Sequence, residues 1–150
     1  MGRVINPDGV GKQRSQLIRG VVLALRELAS QNKPDNHTRD IVAFIVLALS
    51  AISNTIEQTV SAWEKRGYWL KADRFRLDWM WAETYGAKLE QALLEDNWPD
   101  VAVTAAQIAE KLRDVKVPKR NRLGTPWIGA WDKLNASVKT GPSFRSSGAG

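Results

Sequence analysis

The sequence contains no cysteine and a single histidine, His37. The lack of cysteine excludes disulfide bonds, thiolate nucleophiles and cysteine-based metal sites. One imidazole cannot supply a metal site that needs two histidines. Strand patterns are missing as well, because no β-branched run alternates with polar residues and no hairpin dipeptide joins two such runs. These absences predict an all-α protein.

The apolar content is that of an ordinary globular domain. The chain has 150 residues, of which 43% are hydrophobic and 25% are charged. A domain of this length removes about 70% of its unfolded surface from water and therefore holds a core without disulfides. The longest apolar run, residues 41–52, is shorter than the about 20 residues of a membrane-spanning helix, so we interpret it as a core helix. No secretory signal is recognisable at the start of the sequence, which predicts a cytoplasmic location.

Apolar residues at intervals of three and four predict four amphipathic helices, which are separated by turn-forming residues. The first begins with Asn6 as the cap and Pro7 in the first turn. The second spans about 36–66, where Asp35 or Thr38 is the expected cap. It ends at the next glycine, since glycine is the preferred residue just after a helix.

The third helix has the most regular pattern, with apolar or small residues four and three apart over 68–93. Such spacing is typical of a heptad seam. A second flank of the same helix is also apolar, which predicts a buried face wider than that of a two-stranded coiled coil. This flank consists of Leu70, Leu77, Trp81 and Thr84.

The fourth helix is capped by Asn97 and is expected to continue as far as Pro118. Four amphipathic helices with short joints predict an antiparallel four-helix bundle. A short fifth helix is expected to start at Thr125–Pro126, a cap followed by proline. The predicted organisation is a bundle over 1–117, a basic and aromatic arm with the short helix over 118–140, and a disordered tail over 141–150.

Positive charge is concentrated at the two ends of the chain. The formal net charge is +6, and residues 1–34, 35–114 and 115–150 carry +4, −4 and +6. Basic ends around a mildly acidic middle are typical of segments that bind phosphate groups. Alternatively, the basic ends neutralise the acidic middle or maintain solubility.

From these ends we predict two nucleic-acid-binding patches. The first patch consists of Arg3, Lys12, Arg14 and Arg19, and the second of Lys116, Lys119, Arg120 and Arg122. The second is the stronger candidate, because Pro118 prevents a regular helix there. An irregular basic segment reaches phosphates with its side chains and with free backbone N–H groups. Binding of this kind reads few bases and depends steeply on salt concentration.

Seven tryptophans are more than a four-helix core needs, so some are expected at a rim or an interface. Trp127 and Trp131 lie one helical turn apart on the arm and share a face. They hold the arm on its own bundle, dock into the groove of a partner, or stack on exposed bases.

Trp69 lies in segment 65–76, where cations alternate with aromatic residues in a pattern suited to stacking on bases. The alternative, which we favour, is that Tyr68 and Phe75 belong to the seam and Trp69 packs beneath the turn.

No catalytic constellation is recognisable. The segment Gly9–Lys12 resembles a fragment of a phosphate-binding loop but lacks its spacing and a preceding strand. The carboxylates of the second and third helices lack the Glu-x-x-His motifs of dimetal bundles, so we interpret them as ion-pair partners of Arg74, Arg76 and Lys88. We expect no cofactor, no metal and no enzymatic activity. The leading hypothesis is a nucleic-acid-binding bundle, and the alternative is an interaction or scaffold module, including a homo-oligomer, that docks through exposed tryptophans.

Overall fold

The computed structural model describes residues 7–138, with side chains from residue 9, and all its regular elements in this range are helices. The all-α class predicted from the sequence is confirmed. The helices are α1 (Pro7–Ala29), α2 (Asn36–Lys65), α3 (Trp69–Leu94), α4 (Trp98–Lys111) and α5 (Ala130–Val138). The predicted contacts of Arg3, the cap at Asn6 and the tail 141–150 lie outside the described residues.

Helix α2 is the centre of the described fold, because α1, α3 and α5 all pack against it and α4 packs against α3. Many of the completely buried side chains belong to α2, including Ile41, Ile45, Leu49 and Ile52. By length and composition α2 is apolar enough to cross a membrane, yet more than half of its apolar stretch is buried inside the protein. This burial agrees with the core helix that the sequence predicts.

The predicted ends of α2 and the start of α4 are confirmed. The carboxylate of Asp35 accepts a hydrogen bond of 2.9 Å from the backbone N–H of Thr38 at the start of α2. Asn97 accepts one of 3.2 Å from the backbone N–H of Asp100 at the start of α4. Gly67 follows α2 with a φ of 79°, in the left-handed region that glycine adopts without strain.

Two predicted boundaries differ from the structure. Helix α4 ends at Lys111, because the backbone N–H of Leu112 already shares its hydrogen bond between two carbonyl oxygens and the following residues form turns. Helix α5 begins at Ala130 instead of Thr125–Pro126. Gly129 has a φ of 82°, which interrupts a helix that would otherwise start at the proline.

The chain after α4 folds back onto the core. Its buried side chains are Val117, Trp127, Ala130 and Leu134. Asp40 on α2 accepts hydrogen bonds from the backbone N–H groups of Gly129 and Trp131, at 3.2 and 2.9 Å. These bonds satisfy donors at the amino end of α5, which have no partners within the helix. Asp40 therefore holds the start of α5 against α2.

Leu70, Leu77 and Thr84 of the second flank of α3 are exposed, so the prediction of a wide buried face is wrong for these residues, whereas Trp81 is half-buried against the core. Leu70 is 82% exposed and Leu77 is 67% exposed. The buried positions of α3 are mostly those of the heptad seam, such as Ala72, Ala82 and Leu89. The helices α2 and α4 cover this seam, and no described helix covers Leu70 or Leu77.

Candidate nucleic-acid interface

Three basic residues of α1 share one face of the helix. Lys12, Arg19 and Arg26 lie seven residues apart, and all three are exposed. Seven residues are close to two helical turns, so the row is about 21 Å long. No acidic residue occurs over residues 9–26. Arg26 was not among the predicted site residues, although its seven-residue spacing from Arg19 is a signal that the sequence carries.

Arg26 connects this face of α1 to the arm. Its Nη2 donates a hydrogen bond of 3.0 Å to the backbone carbonyl oxygen of Val117. The Val117 side chain is buried, while Lys116 beside it is exposed. The start of the second predicted patch therefore lies beside the carboxyl-terminal part of α1.

The four predicted cations of the arm are all exposed, and none forms an ion pair with a described residue: Lys116, Lys119, Arg120 and Arg122. Asn121 orders the turn between two of them. Its Oδ1 accepts a hydrogen bond of 3.0 Å from the backbone N–H of Leu123, and its Nδ2 donates one of 3.3 Å to the carbonyl oxygen of Pro118. Segment 115–131 contains no acidic residue.

We call these seven exposed cations the basic band. It consists of Lys12, Arg19, Arg26, Lys116, Lys119, Arg120 and Arg122. No carboxylate lies within residues 9–26 or 115–131, the two segments that carry the basic band, so each segment presents positive charge only.

Arg14 faces the core, and we remove it from the predicted patch. Its Nε donates a hydrogen bond of 3.0 Å to Oγ1 of Thr55, and its Nη2 donates to the Thr55 carbonyl oxygen and to Oγ1 of Thr59. Its guanidinium lies 5.0 Å from the ring centre of Phe75, and burial lowers its pKa. Arg14 is two residues from Lys12, about 200° around the helix, so it points to α2 and α3.

The tryptophans of the predicted partner site have three different environments. Trp127 is 5% exposed, and its Nε1 has no hydrogen-bond partner among the described residues. It packs on its own chain, one of the three possibilities that the sequence left open, and is not available for docking. Trp131 is half-buried beside Asp40. Trp69 is 59% exposed and does not pack beneath the turn. Of the two residues assigned to the seam, Tyr68 is 51% exposed and Phe75 packs against the core.

The acidic residues at the α2–α3 interface form ion pairs, as expected for Arg76. Guanidinium nitrogens of Arg76 lie 3.3 Å from a carboxylate oxygen of Glu57, 3.9 Å from one of Glu64 and 3.7 Å from one of Asp73. The hydrogen bond to Glu57 is the main cause of the raised pKa of Arg76. Glu57 and Glu64 therefore join α2 to α3, whereas Asp73 pairs with Arg76 within α3. Among the described residues no group of three or more potential ligands could hold a metal ion.

The remaining candidates carry little chemistry. His37 is exposed, with Nε2 3.6 Å from a carboxylate oxygen of Glu27. The segment Gly9–Lys12 is part of α1 and forms no loop. A cleft of about 390 Å³ between α1, α2 and the arm is lined by apolar side chains such as Phe44, with Lys133 as the single charged residue.

The chain matches no protein-family model, no curated protein and no solved structure. Functional inference therefore rests on the chemistry that the described surface presents.

Proposed function

We propose that this protein binds nucleic acid through the basic band, by contacts to the phosphate backbone. The observation that carries the proposal is the meeting of two acid-free basic segments at the Arg26–Val117 hydrogen bond. Their exposed cations have no ion-pair partners among the described residues. Phosphate oxygens would supply the missing partners.

The proposed scaffold is an antiparallel four-helix bundle of α1–α4, with the arm and α5 folded against α2. The connections 30–35, 66–68 and 95–97 are short, which favours antiparallel neighbours. In this scaffold α1 and the arm keep a fixed relation, because Arg26, Asp40 and Trp127 each join the arm to the helices. The proposed activity is binding, and it includes no catalytic step.

The proposal implies a steep and measurable dependence on salt. Each phosphate that a cation neutralises on duplex DNA adds about −0.9 to the slope of log K against log salt concentration. If all the cations of the basic band engage, the slope is about −6. Little sequence preference is expected, because contacts to the phosphate backbone do not read bases.

The experiment is a titration of the full chain with a fluorescent duplex at several salt concentrations. The test variant combines Lys119→Gln, Arg120→Gln and Arg122→Gln, and its slope is expected to be shallower by about 3. The control removes the same charge elsewhere, with Lys33→Gln, Lys111→Gln and Lys133→Gln. These three cations are exposed, lie outside the basic band and form no ion pair with a described residue.

Only the test variant is expected to change the slope. Equal losses in both variants would show that net charge alone drives the interaction, and binding that is absent or insensitive to salt would overturn the proposal. A single-stranded probe of the same length separates the two forms of nucleic acid, because its slope per contact is about −0.7.

A protein-interaction function is the second candidate, and the exposure of Trp69 and Tyr68 favours it. Large aromatic side chains are enriched at protein interfaces. Trp69→Ala distinguishes the candidates, since it removes interface area and leaves the basic band intact. A loss of nucleic-acid affinity in this variant would assign Trp69 to base stacking instead.

A further inference from the structure

The outer face of α3 exposes more large apolar side chains than a solvated helix needs. Leu70, Leu77 and Met80 are 82%, 67% and 49% exposed, and Leu77 lies two turns after Leu70 and one turn before Met80. Trp81 is half-buried on the same side and stacks on Trp79, with ring centres 5.6 Å apart. We call these side chains the α3 strip: Leu70, Leu77, Met80 and Trp81. Exposed apolar side chains repeated along one side of a helix are typical of a surface that pairs with another helix.

Charge along α3 indicates what covers the α3 strip. Within α3, residues 69–77 carry a net charge of +2, and residues 78–94 carry −2. The helix dipole has the same polarity, because its positive end is at the amino terminus. A second α3 in antiparallel orientation would place each positive half beside a negative half, whereas a parallel copy would place like charges together.

The cations of the positive half are available for such contacts. Arg74 is exposed and makes no ion pair with a described residue, and the same is true of Lys65 and Arg66, which lie just before α3. In the negative half, Asp78 and Glu83 also lack ion pairs within the described chain. The first turn of α3 has no acidic residue and no side-chain cap, so its positive end is unopposed.

We propose that the chain forms a symmetric homodimer in which the α3 strips of two copies pack antiparallel. The two-fold axis crosses α3 near Leu77 and Trp81, so that Leu70 of one copy faces the carboxyl-terminal half of the other α3. A two-fold interface uses the same surface on both copies, and a helix with complementary halves satisfies that requirement by itself. The dimer rests on a surface separate from the basic band.

The first test is the mass of the full chain in solution, without nucleic acid, over a wide concentration range. The wild type is expected to approach twice 16.7 kDa, and Leu77→Glu to remain a monomer with unchanged helical circular dichroism. Val103→Glu is the matched control, because Val103 is 58% exposed on α4 and lies outside the α3 strip. A monomeric wild type, or a dimer that survives Leu77→Glu, would overturn the proposal.

The second test determines the orientation and uses the absence of native cysteine. A single cysteine at Met80, near the axis, meets its own copy in the antiparallel dimer and is expected to form an intermolecular disulfide. A cysteine at Lys88 lies far from the axis and is expected to remain a free thiol. Crosslinking at both positions would indicate parallel helices and contradict the proposed arrangement, as would crosslinking at Lys88 alone or at neither position.

Discussion

Helices α1 and α3 both pack against α2, yet their outer faces have opposite chemistry. The outer face of α1 presents Lys12, Arg19 and Arg26, and its apolar residues point inward, with Val21 and Ala24 completely buried. The outer face of α3 presents leucine, methionine and tryptophan side chains together with charges of both signs. A phosphate-binding face needs cations without competing acids, whereas a helix-pairing face needs apolar area and balanced charge. The two proposals therefore place two kinds of recognition on one scaffold.

The largest expected difference is between the effects on stability of substituting Trp127, in the arm, and Trp69, at the start of α3. Trp127→Ala removes a buried ring and is expected to lower the free energy of unfolding by about 3–5 kcal/mol. Trp69→Ala removes an exposed ring and is expected to change it by less than about 0.5 kcal/mol. Urea unfolding, followed by circular dichroism at low protein concentration, measures both. Similar effects of the two substitutions would show that the arm does not pack on the helices.

Two of the three arginines of α1, Arg14 and Arg19, allow its inner and outer faces to be compared. Arg14→Met removes the bonds to Thr55 and Thr59, and it is expected to lower the free energy of unfolding by about 2 kcal/mol. Its effect on the salt slope of nucleic-acid binding is expected to be absent. Arg19→Met is expected to leave stability within about 0.5 kcal/mol of the wild type and to make the slope shallower by about 1. An unchanged slope for Arg19→Met would remove Arg19 from the basic band.

Local signals made the helices predictable from the sequence. Asp35, Asn97 and Gly67 mark helix ends through bonds or backbone angles that involve only their immediate neighbours. Apolar periodicity, in contrast, shows which faces of a helix are apolar and does not show which face another helix covers. The flank with Leu70 and Leu77 was therefore predicted to be buried, although only long-range packing decides that question.

The sequence shows which cations could belong to the candidate site, but it does not show where the fold places them. Arg14 and Arg19 look alike in sequence, and only the position of Thr55 on α2 shows that Arg14 is an internal residue. The junction between Arg26 and Val117 spans most of the chain, so no local pattern could reveal it.

Arg26 allows the junction within the basic band to be tested. Arg26→Met removes one cation and the hydrogen bond to Val117, with an expected loss of about 1 kcal/mol in the free energy of unfolding and of about 1 in the salt slope. Arg26→Lys keeps the charge, so its slope is expected to stay nearer that of the wild type. Hydrogen exchange of the arm amides reports the junction directly, and unchanged exchange in Arg26→Met would show that Arg26 does not hold the arm.

The amino ends of α2 and α3 differ in their caps. At α2, the carboxylate of Asp35 accepts hydrogen bonds of 2.9 and 3.0 Å from the backbone N–H and Oγ1 of Thr38. The backbone bond is the main cause of the lowered pKa of Asp35. At α3, Tyr68 occupies the cap position and makes no side-chain cap hydrogen bond. Acid is therefore expected to weaken the start of α2 and to leave the start of α3 unaffected.

The smallest expected effect is the pH dependence of this cap. The folded-state pKa of Asp35 lies below its unfolded value of about 3.9, so the carboxylate stabilises the fold above about pH 4. That stabilisation is lost as the pH falls through the lower, folded pKa. Asparagine also caps helices but does not titrate, so Asp35→Asn is expected to lose less thermal stability than the wild type on acidification. Asp114→Asn, at an exposed position after α4, serves as the control and is expected to follow the wild-type profile. Thermal unfolding between about pH 7 and pH 3 measures the three profiles, and an Asp35→Asn profile parallel to that of the wild type would show that this cap does not couple folding to protonation.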